Sequence, residues 1–129
     1  MATTNPIPAE TSFAVLARAD MPVYAERAGV TTREMVGPRS PLPVFSDVRL
    51  FADTTLQPGA AVDWIVGDGE GGLLSVREGE ITLCGRPLGS RSTALLPPGP
   101  AREVTIGSQT GARVIRAGFG PGYGLVTEG

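Results

Sequence analysis

An all-β fold, a small antiparallel barrel or jelly roll forming one domain, is what this sequence predicts, on three observations. Short apolar runs recur about every ten residues through the second half of the chain, Gly and Pro signals separate them, and no stretch carries the apolar period of an amphipathic helix. The 18 Gly and 12 Pro are dispersed between apolar runs and punctuate strands, unlike a low-complexity tract. With 129 residues the chain is long enough for one hydrophobic core and too short for two ordinary domains.

The elements follow in order. Met1 to Thr11 contains Asn5-Pro6 and Ile7-Pro8, which deny it helical geometry, so it reads as an extended arm. Ser12 to Ala19 fits a short helix or an edge strand, with the alternation Phe13, Val15, Ala17 favouring the strand. Val23 to Val36 holds two β-prone pieces around Ala28-Gly29, and Gly37 to Pro41 breaks the pattern before a further strand near Val44. Val48 to Thr55 alternates Val48, Leu50 and Ala52 with Arg49, Asp53 and Thr55, then meets the turn Gln57-Pro58-Gly59. Further strands are expected at Ala61–Val66, Leu73–Arg77, Glu80–Cys84, Thr93–Leu96, Arg102–Ile106 and Ala112–Ala117, with Gly85-Arg86-Pro87 read as a turn. The barrel thus spans residues 12–121, and residues 122–129 form a Gly-rich tail.

Composition narrows the chemistry. All 11 basic residues are Arg, and His is absent, which removes the side chain that ordinarily supplies acid–base chemistry near neutral pH and nitrogen ligation of metals. The single Cys84 excludes internal disulfides and cysteine-cluster zinc sites, and reads as a small core or near-surface residue. A net charge of −2 without a basic cluster argues against nucleic acid as a partner. No apolar run is long enough to span a bilayer and the N-terminus lacks the order of a signal peptide, so no membrane association and a cytoplasmic location are expected.

The turns come in a telling order: Leu56-Gln57-Pro58-Gly59, then Val76-Arg77-Glu78-Gly79-Glu80, then Gly85-Arg86-Pro87-Leu88, then Leu95-Leu96-Pro97-Pro98-Gly99. From Val44 to Pro121 this arrangement resembles the cupin superfamily, and its texture is similar to the C-terminal cupin half of pirin-like proteins. The resemblance implies a β-barrel whose interior holds a metal on two His and a Glu from a first motif and a His from a second. The positions matching the first two His are Ile65 and Gly67, the Glu falls on Gly72 or is displaced to Glu70, and Arg102 stands at the second-motif His. A guanidinium cannot ligate a metal, so the expectation is no metal and no other cofactor.

If the strand Ala61 to Val66 keeps the family's facing, Ala61, Asp63 and Ile65 point into the barrel beside Arg102. Asp63 and Arg102 then form the candidate catalytic pair, the cation holding a carboxylate or enolate and the carboxylate moving a proton. In the other register Val62, Trp64 and Val66 face inward and Asp63 sits in water. Trp64 shapes a cavity in either case, and Ile65 joins it as ligand-binding in the first. Arg116 alternates with Val114 on the last strand, so one register brings it to the barrel mouth, and Tyr123 is a further ligand-binding candidate in the tail. The loop Gly67 to Gly72 reads as a solvated hairpin turn. Together these features lead to a metal-independent cupin-like protein binding a small organic molecule, as an isomerase, epimerase or cyclase of specialised metabolism. The alternative is a non-catalytic ligand-sensing or partner-binding barrel. Exposed strand edges favour a homodimer formed by sheet extension or strand exchange.

Overall fold

The computed structural model describes residues 16–41 and 48–121. Within them lie β1 (Val23–Arg27), β2 (Val30–Val36), β3 (Val48–Leu56), β4 (Ala60–Val66), β5 (Gly71–Gly79), β6 (Ile81–Leu83), β7 (Arg86–Leu88), β8 (Thr93–Leu96), β9 (Arg102–Ser108) and β10 (Ala112–Phe119). They form a six-stranded sheet in the order β1-β2-β3-β10-β5-β8 and a four-stranded sheet in the order β4-β9-β6-β7. The pairings are antiparallel throughout. Two such sheets closed on one core make the all-β jelly roll expected from the turn spacing.

Most strands lie where the apolar runs place them, and two readings change. The described part of Ser12 to Ala19 contains no strand, and Arg18–Asp20 makes a single 3-10 turn instead. Gly85-Arg86-Pro87 is not all turn: Cys84 and Gly85 both have positive φ, at 50° and 84°, so they alone reverse the chain and Arg86–Leu88 returns as β7. Pro87 is tolerated there because β7 pairs only with β6 and stands at the sheet's edge. Cys84 is consequently exposed at a hairpin tip. The arm at residues 1–11, the strand start near Val44 and the tail at residues 122–129 lie outside the described residues.

Strand alternation builds an interior with two zones. Val30, Leu56, Val62, Leu74, Val76, Ile81, Val104, Ile106 and Val114 pack into one apolar cluster, each at most a few per cent exposed. Burying each side chain of this size contributes roughly 1.5–3 kcal/mol. Continuing along the same inward faces toward the other end, the side chains turn polar: Thr32 and Glu34 on β2, Thr54 on β3 and Arg116 on β10 are all buried. On β4 the inward residues are Val62, Trp64 and Val66, whereas Ile65 is 72% exposed.

Register shifts occur in four strand pairs, three of them toward the polar end and one, between Arg113 and Val114 in the β10–β5 pair, beside the apolar cluster. In the β1–β2 pair Ala25 faces Thr31 and Arg27 faces Val30, leaving Glu26 as the extra residue of a bulge. Shifts after Glu34 in β2 and between Gly118 and Phe119 in β10 lie at the same end. Bulges bend strands and re-aim side chains, and barrel rims are a common place for them. Among the described residues no helix is long and apolar enough to cross a membrane.

Candidate functional site

The polar end of the barrel opens into a cavity of about 490 Å³, walled by Trp64, Val66, Leu50 and Gly118 and ringed by Tyr24, Glu26, Glu34, Arg39, Arg49 and Arg116. Trp64 fits because two glycines face it. A Cβ on Gly72 would stand 2.7 Å from the indole Cη2, and one on Gly118 would reach 3.7 Å from Cζ2.

Arg116 organises one wall. Its Nη2 donates to Glu26 Oε1 at 2.5 Å and to Thr54 Oγ1 at 2.8 Å, and its Nε donates to Thr54 Oγ1 at 3.1 Å. Thr32 gives its only hydroxyl proton to Glu26 Oε1 at 2.7 Å, so the 3.0 Å contact between Thr32 and Thr54 runs from Thr54 to Thr32. The guanidinium carbon lies 5.5 Å from the Trp64 ring centre, within cation–π range. Arg116 is 1% exposed, so the charge is stable there only because a carboxylate and two hydroxyls answer it. Among the described residues Nη1 makes one hydrogen bond, a long one of 3.4 Å to Glu26 Oε2.

A second wall is built around Glu34, whose Oε1 accepts from the Tyr24 hydroxyl at 3.1 Å and whose Oε2 accepts from the Arg39 backbone N–H at 2.6 Å. The Arg39 guanidinium stacks 3.7 Å from the Tyr24 ring centre. Partial burial, and after it the negative charge of Glu34, pushes the Tyr24 phenol up from 10.0 to about 12. The phenol therefore stays a proton-bearing donor across any physiological pH. An ultraviolet pH titration should show a tyrosine ionising near pH 12 that Tyr24→Phe removes; a wild-type curve matching the variant's would contradict this geometry. Because the folded pKa lies above the unfolded one, the unfolded chain loses this proton first. The phenol's contribution to stability is thus complete below about pH 10 and lost as pH rises through about 12.

The candidates read from sequence are distributed unevenly over this site. Trp64 and Arg116 are in it. Asp63 and Ile65 are not inward: β4 takes the register that buries Val62, Trp64 and Val66, since an inward Asp63 would replace an apolar contact with a charge. Asp63 and Ile65 both reach only the cavity rim, where Asp63 accepts from Thr105 Oγ1 at 2.8 Å and lies 3.6 Å from Arg27 Nη2. Arg102 lies outside the cavity and ties loops together, donating to Pro97 O at 2.5 Å, Pro100 O at 3.0 Å and Glu70 O at 3.5 Å. The proposed pairing of Asp63 with Arg102 is therefore not formed. Tyr123 lies outside the described residues. The solvated hairpin turn expected over Gly67 to Gly72 is shorter and joins strands of different sheets: Gly67 to Glu70 form it, held by the Gly67 N–H on Glu70 Oε1 at 2.9 Å and the Gly69 N–H on Gly99 O at 2.7 Å, while Gly71 and Gly72 are buried in β5.

Glu26, Thr32, Glu34 and Thr54 were missed. Parity held the signal: Thr32 and Glu34 share a strand face with Val30, and Thr54 shares one with Leu56. Polar residues at those positions look like a solvent face until the barrel closes over them.

No protein-family model and no curated protein matches the chain. Solved structures do. Quercetin 2,3-dioxygenase from Acinetobacter baumannii superposes with a TM-score of 0.71 at 20% identity, over 80% of this chain and 37% of that one. An RmlC-like cupin from Shewanella frigidimarina gives a TM-score of 0.61 at 15% identity, over 85% of this chain and 92% of that one. The fold is that of the cupins. The polyketide cyclase RemF from Streptomyces resistomycificus shares it, with a TM-score of 0.61 at 11% identity over 83% of this chain and 79% of that one. The chain spans well under half of the dioxygenase it resembles.

Metal-binding cupins suggest testing this barrel for a metal. The buried positions on β4 and β9 are Val62, Trp64, Val66, Val104, Ile106 and Ser108, and the one ligating atom among their side chains, the Ser108 hydroxyl, is engaged by Glu80 O and the Gly111 N–H. Among the described residues no three His, Cys, Asp or Glu side chains come together as a ligand set. The carboxylates that line the cavity, Glu26, Glu34, Asp63 and Glu70, are each engaged by other donors. These residues do not fit a transition metal.

Proposed function

We propose that this cupin barrel binds a small organic molecule in its polar mouth without a metal, and that the bound molecule carries a flat apolar portion and hydroxyl groups. The observation that carries this is the open cavity in which Trp64 presents an apolar wall beside Glu26, Glu34 and Arg116. A flat group can lie along the indole while hydroxyls donate to the carboxylates and accept from Arg116 Nη1, which has one long contact of its own. Two carboxylates and a guanidinium around one ligand suffice in kind for an isomerisation or cyclisation, with a carboxylate accepting a proton and the cation holding the resulting oxyanion. The polyketide cyclase and a sugar phosphate isomerase from Silicibacter pomeroyi are among the structures that share this fold.

A binding-only barrel is the second reading, and one observation favours it. Each carboxylate in the mouth is already hydrogen-bonded within the protein, so its acceptor positions are taken up by protein donors rather than left for a substrate. The chain has one tryptophan, so its fluorescence reports directly on the cavity. Titrating hydroxylated aromatic and alicyclic compounds should quench Trp64 saturably, with affinity falling about tenfold in Glu26→Gln as a charge-assisted hydrogen bond is lost. A quenching ligand that is converted by the wild type and only bound by Glu26→Gln supports the enzyme; one bound unchanged by both supports the second reading. Absence of saturable quenching across the series would count against a ligand in the mouth. A symmetric dimer also belongs to this proposal, supported by β1 and β8, which each pair on one side only in the six-stranded sheet. Sedimentation as a stable monomer would remove it.

A further inference from the structure

We infer that the outer face of the six-stranded sheet carries an anion site, separate from the barrel mouth, that takes a phosphate group, free or esterified. Because Thr32 and Glu34 face the interior, their neighbours Thr31 and Arg33 face outward, and Asp53 and Thr55 do so on β3. The register then builds a small lattice: Thr31 stands opposite Thr55, Thr55 opposite Arg113, and Arg33 opposite Asp53. With Arg18 from the 3-10 turn and Val23 from β1, these residues line a cleft of about 380 Å³ that shares no residue with the barrel mouth.

The charges in this cleft do not balance. Asp53 gives both oxygens to Arg113, accepting from Nε at 3.0 Å and from Nη2 at 2.7 Å. Arg33, directly across the strand pair from the same carboxylate, forms no ion pair with it; its Nη1 donates instead to Arg18 O at 3.1 Å. Neither Arg18 nor Arg33 has a carboxylate partner among the described residues. Three guanidiniums line the cleft against one carboxylate, and even with Glu78, whose Oε1 lies 3.9 Å from Arg113 Nη1, the local charge is +1 in a chain whose formal net charge is −2. The Arg18 carbonyl holds Arg33 in place, so part of the ordering cost of a binding guanidinium is met before any ligand arrives. Thr31 and Thr55 line the same cleft and bring two hydroxyl-bearing side chains to it. A group with several acceptor oxygens and close to two negative charges at neutral pH fits this arrangement, and a phosphate has both. A monoanionic carboxylate would leave one cation unanswered.

The test is a two-dimensional amide NMR titration of the full chain with inorganic phosphate at constant ionic strength. Saturable shifts are expected at Thr31, Arg33 and Thr55, with affinity weakened about tenfold or more in Arg33→Gln and Arg18→Gln. Arg86→Gln, on the edge strand of the other sheet, should bind as the wild type does. Phenyl phosphate binding more tightly than inorganic phosphate identifies an ester as the ligand, and equal affinity identifies the free ion; either supports the site. Shifts that do not saturate, that persist unchanged in Arg33→Gln, or that acetate reproduces at equal affinity overturn it. Dispersed spectra from the variants distinguish lost binding from lost fold.

Discussion

Arg116→Met destabilises the barrel by about 3 kcal/mol, as removal of one partner from a buried ion pair does. The methionine fills most of the volume, so the loss is not principally a cavity. It comes from what stays behind: Glu26 keeps a carboxylate that has lost its strongest donor, and Thr54 loses the two N–H groups that pointed at its oxygen. Glu26 retains some contact with water, its side chain being 23% exposed, which holds the cost below that of a fully buried pair. Urea unfolding followed by far-ultraviolet circular dichroism measures the change. The double variant Arg116→Met, Glu26→Gln should recover part of the loss, because a neutral amide in that place is cheaper to leave half-answered than a carboxylate. Additive losses would mean that the pair is not coupled as the geometry states.

That pair also marks where the sequence stops being legible. The strands and turns could be read because their signals are local: a Pro-Gly or Glu-Gly turn and an alternating run need no partner to be recognised. Strands β4, β9 and β10, and the turns that lead into them, stand where such signals put them. The site could not be read the same way. Glu26 points at Arg116 across 90 residues of chain, and it does so because a bulge in β1 re-aims it. No local pattern reports a bulge of that kind. Arg102 misled for a different reason, since its side chain found nearby loop carbonyls at Pro97 and Pro100 instead of the cavity. Asp63 was open to two facings, and the deciding fact was the apolar neighbourhood that Val62, Trp64 and Val66 share with Val104 and Ile106.

Trp64→Ala should cost about 3–5 kcal/mol, the range for deleting a large buried aromatic side chain. The indole is 7% exposed and its neighbours cannot close the gap, because the residues that adjoin its ring edge are Gly72 and Gly118, which have no side chains to move inward. The cost is therefore at the upper end of that range, and ligand affinity should fall with it as the apolar wall of the cavity disappears. Trp64→Phe keeps the ring and separates the two effects, losing about 1–2 kcal/mol for the smaller burial. The same geometry makes a sharper test through Gly72. A Cβ there would meet Trp64 Cη2 at 2.7 Å and Ala117 O at 2.8 Å, so Gly72→Ala overpacks the barrel between a side chain and a backbone carbonyl. Phenylalanine at 64 removes the first obstruction and leaves the second. Gly72→Ala should thus destabilise the Trp64→Phe protein less than it does the wild type, by about 1 kcal/mol, a coupling that only direct contact between the two positions produces. If the two substitutions are additive, the missing side chain at Gly72 answers to the β10 carbonyl alone, and the indole sits in a space it did not require to be cleared.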